Sequence, residues 1–461
     1  MLNAYLLPHP PLIVPGVGRG DEIPATRASM RRVAAEIAAA NPEVIVIISP
    51  HSTLYADYFH ISPGIDTAGD FSQFGAARLK YTANYDAELA STLAQLARDE
   101  GLQAGKEGER HPTLDHGVLV PLHFLREAGV TAPLVRLSLS GYSLLDHYRY
   151  GMVLQRAAKQ LSRRMTIIAS GDMSHRLSED GSYGFDSAGP RHDAFVSECA
   201  ASADFLRLLS IDPALSEAAA ECGLRSLVIL AGACDGMQVR GEVLSYEGPF
   251  GVGYLCASFI AEGEAPSLLP ALDQARSERV AVLREREDVY VRLARENAEH
   301  YIRNRRSITL PDALPAEMLE QKAGVFVSIK KDGQLRGCIG TISSTSANIA
   351  EEILRNSVAA STQDPRFDPI VAEEIPHLVF SVDVLSPAEP ISGPEQLDPS
   401  RYGVIVTLGR RRGLLLPRLE GVDTVAEQLR IVLQKASIYA DEKYSLERFE
   451  VVRHEVESAR S

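Results

Sequence analysis

Residues 44–49 read Val-Ile-Val-Ile-Ile-Ser: five consecutive β-branched apolar side chains with no polar alternation, followed at once by Pro50-His51. A strand with one wet face alternates. An unbroken Val/Ile run belongs to a sheet covered by helices on both faces, as in parallel α/β sheets. The neighbouring segments fit that frame. Strands are predicted at residues 5–7, 134–139 and 165–169, with closing strands at 243–246 and 252–259. Helices are predicted at 28–40, 87–97, 148–162, 204–209 and 213–220. The apolar stretch 224–233, which follows a Cys222-Gly223 break, reads as helix or strand. The expectation is an α/β domain over residues 1–261, with a mostly parallel sheet flanked by helices.

Residues 262–274 contain Gly263, Pro266 and Pro270 and read as a linker. The pattern then changes. Residues 276–305 are charged and helical, and Asp332-Gly333 marks a hairpin between strands at 325–329 and 335–342. Residues 378–384 alternate, and 404–408 and 414–416 flank a second hairpin. A smaller α+β domain is expected over residues 275–461.

The 461 residues carry a formal net charge of −14, which argues against a general nucleic-acid binder. Five cysteines, Cys199, Cys222, Cys234, Cys256 and Cys338, form no Cys-x-x-Cys pair and suit a reducing compartment. No apolar run approaches the roughly 20 residues of a membrane helix, and the apolar N-terminus lacks a basic flank and is broken by prolines. A cytoplasmic protein, homo-oligomeric and without nucleic-acid or membrane partners, is expected.

His9 lies in Leu7-Pro8-His9-Pro10-Pro11, and His51 follows the 44–49 strand. Both sit just beyond predicted parallel strands, where open α/β sheets bind ligands. Two imidazoles and a carboxylate make a metal site with open positions, as in non-heme Fe(II) oxygenases. His116, in Leu114-Asp115-His116-Gly117, and His175, in Ser170-Gly171-Asp172-Met173-Ser174-His175, have comparable settings. Glu247 ends a predicted strand and offers the carboxylate, with Glu242 as its rival. For any one histidine near a core, a hydrogen-bonded structural role is the ordinary reading. His60, His111, His123, His147 and His192 are given that role.

Four segments occur in order: Pro8-His9-Pro10-Pro11, Ile48-Ser49-Pro50-His51, Leu114-Asp115-His116-Gly117 with Val120-Pro121-Leu122, and Ser170-Gly171-Asp172 with Ser174-His175. With them, residues 1–261 resemble the class III (LigB-type) extradiol ring-cleavage dioxygenases and the related Memo proteins. The resemblance implies Fe(2+) on His9, His51 and Glu247, with zinc or copper as alternatives. It implies His116 and His175 as catalytic acid/base and oxygen-handling residues, acting on a small aromatic diol and O2. Memo-like proteins carry a cysteine near the carboxylate position; Tyr246-Glu247 occupies that region here, which favours the dioxygenase form.

The second domain contains Leu335-Arg336-Gly337-Cys338-Ile339-Gly340, Asp364-Pro365-Arg366-Phe367 and Leu446-Glu447-Arg448-Phe449-Glu450. It resembles the AMMECR family. Memo-like, AMMECR-like and radical SAM components go together in the AmmeMemoRadiSam system, so a radical SAM protein on another chain is implied as a partner. Two functions stand at this point: an extradiol dioxygenase, or a non-catalytic or redox metal-binding accessory protein.

Overall fold

The computed structural model describes residues 2–19, 21–419 and 421–456. The chain forms two compact units, Met1–Leu272 and Asp273–Ser461. The first is built on a six-stranded sheet, its strands numbered here in chain order: β1 (Asn3–Leu7), β2 (Val44–Ser49), β3 (Leu134–Ser138), β4 (Met165–Ser170), β5 (Met237–Glu247) and β6 (Tyr254–Glu264). Their spatial order is β3-β2-β4-β1-β6-β5. β3, β2, β4 and β1 pair in parallel, and β6 and β5 close the sheet antiparallel.

The unalternating run of β2 is explained by two cores. Val44, Val46 and Ile48 pack on one face with Leu93, Tyr150 and Leu230. Ile45 and Ile47 pack on the other with Met30, Val33 and Val118. Each such side chain contributes about 1.5–3 kcal/mol by leaving water, so neither face of β2 tolerates a polar residue. The apolar stretch Leu224–Ala233 is a helix, buried at every position but Arg225. Its Gly232 lies against the Tyr148 backbone, where a Cβ would meet the carbonyl oxygen at 1.8 Å.

The division between the two units falls within residues 262–274, where β6 runs to Glu264 and the helix Leu269–Arg284 begins four residues after Ala265. The Pro and Gly residues there punctuate a strand-to-helix turn. The segment 70–75 is the turn of an antiparallel hairpin, Asp66–Phe71 with Ala76–Asn84, outside the main sheet. Gly75 there has φ +78, a conformation that suits glycine.

The second unit holds an antiparallel sheet in the order Gln334–Gly340, Val325–Lys331, Leu378–Leu385, Ser445–Glu455, Tyr402–Leu408, Arg411–Leu415. The short strand Glu389–Ile391 also pairs with Ser445–Glu455. Helices Val289–Asn304 and Ile349–Thr362 pack Val291, Ala294, Ile353 and Ala360 against Val325, Val327 and Phe380. Inside this unit Glu352 is fully buried and accepts hydrogen bonds from Thr341 Oγ1 (2.6 Å), Thr345 N (2.8 Å), Thr345 Oγ1 (2.9 Å) and Ser346 N (2.7 Å). It ties the loop before its helix to the helix itself.

Candidate metal centre

The C-terminal ends of β1, β2 and β4 lie side by side, and each runs into a loop that carries part of the site. His9 follows β1, His51 follows β2, and Asp172 and His175 follow β4. His116 opens the helix His116–Glu127, with Asp115 at its N-cap position. The rings of His9, His51 and His116 cluster, with centroids 4.8 Å (His9–His51), 5.2 Å (His9–His116) and 4.0 Å (His51–His116) apart.

The third element brought to the imidazoles is a thiol. Among the described residues, His9, His51 and Cys222 form a group whose ligand atoms lie within 4.8 Å of one another. His51 Nε2 is 3.0 Å from His9 Nε2, and Cys222 Sγ is 3.8 Å from the same nitrogen. Ligands around one tetrahedral transition metal stand roughly 3–4 Å apart, given metal–nitrogen and metal–sulfur bonds of about 2.0–2.3 Å. Cys222 is placed by backbone contact between two loops. Its N–H donates to Asp172 O (3.3 Å), and Asp172 N–H donates to its sulfur (3.2 Å). The approach is that close because Gly171 meets Gly223; a Cβ on Gly171 would lie 2.1 Å from the Gly223 Cα.

Glu247 has a different task. Its Oε2 accepts from Thr26 N (2.7 Å) and Thr26 Oγ1 (2.7 Å), in the first turn of the helix Pro24–Ala40. That helix has no side-chain cap of its own at Ile23. A carboxylate there satisfies an orphan N–H and complements the positive end of the helix dipole. Its rival Glu242 pairs with Arg32 at the surface (2.9 Å). Neither glutamate joins the imidazole cluster; the donor that lies with His9 and His51 is Cys222. Cys222 passed as a helix break because a single thiol beside a glycine is ambiguous in sequence. The contact of Gly223 with Gly171, which brings the thiol to the imidazoles, has no signature in the sequence.

Local chemistry orients His9. Pro121 has no N–H to offer the carbonyl four residues back, so Gly117 O is left without that helical partner. Ser170 Oγ donates to it at 2.6 Å. The Ser170 hydroxyl has one hydrogen, so toward His9 Nδ1, 3.0 Å away, it accepts. His9 therefore carries its proton on Nδ1 and turns a bare Nε2 toward His51 and Cys222. The His9 N–H donates to Asp172 Oδ1 (2.9 Å). Gly117 also explains the His116-Gly117 step, since a Cβ there would sit 2.3 Å from Ser49 Oγ.

Burial, then the neighbouring His51, holds the His9 imidazole neutral, its pKa pushed down to about 3. Burial and the same neighbour lower His116 to about 3. Burial likewise lowers His51 and His175. Asp172 is pushed up to about 6 by burial, and the Cys222 thiol well above its ordinary value by burial and then by Asp172. The site is thus a set of neutral imidazoles, which are ready ligands, beside a thiol that a cation would deprotonate. Among the described residues His175 Nε2 finds no hydrogen-bond partner, although it is buried. Two half-exposed aromatic rings flank the cluster: Phe74 against His116 (5.5 Å) and Tyr183 against His175 (5.2 Å).

The fold and this cluster define the class, and comparison with known proteins agrees. Residues 3–257 match the family model described as the catalytic LigB subunit of aromatic ring-opening dioxygenase, and residues 291–458 match the AMMECR1 model. The chain belongs to the LigB family, with an AMMECR1 domain joined to it. Protein CA_C1420 of Clostridium acetobutylicum is 41% identical over 460 residues, covering 98% of each chain. A protein of Thermotoga maritima is 49% identical over 170 residues, 36% of this chain and 98% of its own. Among solved structures, the uncharacterized protein PH0010 from Pyrococcus horikoshii is 32% identical and covers 37% of this chain and 90% of its own, with a TM-score of 0.35. Among the described residues no helix is long and apolar enough to cross a membrane.

Proposed function

We propose that the N-terminal domain is a metalloprotein holding one redox-active transition metal on His9, His51 and Cys222, with copper as the best match. The observation that carries this reading is the thiol in third place. A carboxylate would suit iron, whereas two imidazoles and a thiol suit copper or zinc. The residues present fit such an ion: a bare Nε2 on His9, a facing Nε2 on His51 and a sulfur lie within 4.8 Å of one another, with the Asp172 carboxylate 3.9 Å from the same His9 nitrogen. A bound copper ion supplies one-electron chemistry. The protein supplies the neutral imidazoles, the orientation of His9 through Ser170, and a wall of buried side chains on the Cys222 side. His51 is exposed and leaves the site open to an incoming molecule. On this reading the two domains form a metal-binding accessory protein for a radical SAM partner.

A second reading is favoured by a separate observation, the unpaired His175 beside Asp172. Here the same histidines hold Fe(2+), and the domain cleaves a catechol-like diol with O2. His175 would accept the diol proton, since burial keeps it neutral and leaves Nε2 free. His116 would steady oxygen at the mouth.

Anaerobic loading with Cu(I), Zn(II) or Fe(II), followed by metal analysis and assay on a catechol panel, separates the two. Stoichiometric copper, abolished in Cys222→Ser and without ring opening, supports the first. Ring-opened product from the iron-loaded protein supports the second. Failure to retain any metal sinks both.

A further inference from the structure

Among the described residues Arg136 is the largest fully buried side chain, 1% exposed, on the edge strand β3 among Leu134, Val135 and Leu137. A guanidinium is costly to bury unless it is paired and fully bonded. An apolar residue would fill this position on the sheet more simply. What the charge does is therefore read from its partners. Nε donates to Ser62 Oγ (2.5 Å), Nη1 to Thr113 O (2.8 Å), and Nη2 to Glu109 Oε2 (2.9 Å) and His111 O (2.8 Å). The Asp115 carboxylate stands 3.8 Å from Nη1. Every one of these acceptors lies in a loop, and none belongs to the main sheet.

One of the tethered loops leads into an imidazole, and its two carboxylates reach the loop that carries another. The segment 109–115 leads directly into His116. Glu109 Oε1 accepts from Thr53 Oγ1 (2.9 Å), and Asp115 accepts from Ser49 Oγ (2.5 Å) and Ser52 Oγ (2.9 Å). Ser49 Oγ in turn accepts from the His51 N–H (3.2 Å). One buried cation thus fixes, through two carboxylates, the loop of His51 on one side and the entry to His116 on the other. Cys222 and His9 are held separately, by Asp172 and Ser170.

We propose that Arg136 is the positioning residue of the metal centre: through Glu109 and Asp115 it sets His51 and His116 against His9 and Cys222. This rests on the metal-site reading above. Partners behind metal ligands typically account for about tenfold to a hundredfold in metal affinity, and Arg136 is placed to act at that scale on the His51 half of the site only. Lysine cannot replace it, because a point charge lacks the fork that reaches several acceptors at once.

The test is Co(II) titration of the full chain, read by the sulfur-to-cobalt charge-transfer band and the ligand-field bands. Wild type should show both. Arg136→Met should bind cobalt at least about tenfold more weakly, keep the sulfur band and show altered ligand-field bands, with a cooperative melt. Arg136→Lys should recover only part of the loss. Should Arg136→Met not fold, Glu109→Gln, which keeps the guanidinium and breaks one arm, decides: weaker binding with altered ligand-field bands supports the proposal. Wild-type affinity and spectrum in these variants, even with a lowered melting temperature, would overturn it and leave the metal site standing. A wild type that shows no sulfur band would instead remove the metal-site reading, and this one with it.

Discussion

Cys222 Sγ lies 3.8 Å from His9 Nε2, although 213 residues separate them in the chain. The contact converts a pair of imidazoles into a three-donor site with sulfur as the third atom. It depends on two glycines meeting backbone to backbone, Gly171 and Gly223.

A first prediction concerns pH. Burial keeps the His9 and His116 rings neutral down to about pH 3, so above pH 5 neither has a proton to lose when metal binds. The Cys222 thiol is pushed up by burial and stays protonated until a cation displaces its hydrogen. Metal affinity should therefore rise about tenfold per pH unit between pH 7 and 8, above the titration of Asp172 near 6, one proton leaving per ion. Cys222→Ser should flatten that dependence. Competition titrations at several pH values measure it; a flat wild-type profile would contradict the assignment.

Glu247 offers the opposite control. Glu247→Ala should leave metal affinity unchanged. It should destabilise the domain by about 1 kcal/mol, the usual scale of a lost N-terminal cap. Chemical denaturation and metal titration of one preparation give both numbers. Loss of metal with unchanged stability would restore Glu247 as a ligand.

Ser170→Ala removes the acceptor that fixes the His9 tautomer. Metal affinity should fall about tenfold or more, and the nitrogen NMR shifts of His9 in the metal-free protein should show a mixture of tautomers. A single Nδ1-protonated form in the variant would show that Ser170 is not what fixes the ring.

In the AMMECR domain, burial opposes ionisation of Glu352, but its hydrogen bonds prevail and its pKa is lowered to about 2, from 4.5. A carboxyl whose folded value is depressed stabilises the fold fully above its unfolded value. That contribution is lost as pH falls from about 4.5 through about 2. Glu352→Gln sets an amide N–H against donors and should cost on the order of 2 kcal/mol at pH 7. It should also flatten the acid limb of the stability curve between those values. Urea melts from pH 2 to 7 check it, and an unchanged acid limb would contradict it.

The parts legible in the sequence were those whose signal is local. The unbroken β2 run announced a doubly covered sheet because both of its faces are buried, and Pro-His steps marked strand ends. The order of histidine motifs gave the family. What stayed hidden depends on contacts between distant segments. Glu247 was chosen because an acidic residue at a strand end looks like a ligand, but the helix start at Thr26 claims it across 221 residues. Cys222 looked like a helix break because the closeness of Gly171 and Gly223 exists only in three dimensions. Arg136 lay unmarked inside an apolar strand, since its partners come from loops elsewhere in the chain. Pro121 was visible as a motif, but its effect on Gly117 O required the Ser170 hydroxyl to be in place.

The most direct test is the metal content of the full chain, purified without oxygen and equilibrated with one equivalent of Cu(I), for wild type, Cys222→Ser and Glu247→Gln. The account predicts one copper per chain in wild type and in Glu247→Gln, and none retained by Cys222→Ser against a competing chelator. Copper retained by Cys222→Ser but lost from Glu247→Gln would contradict it.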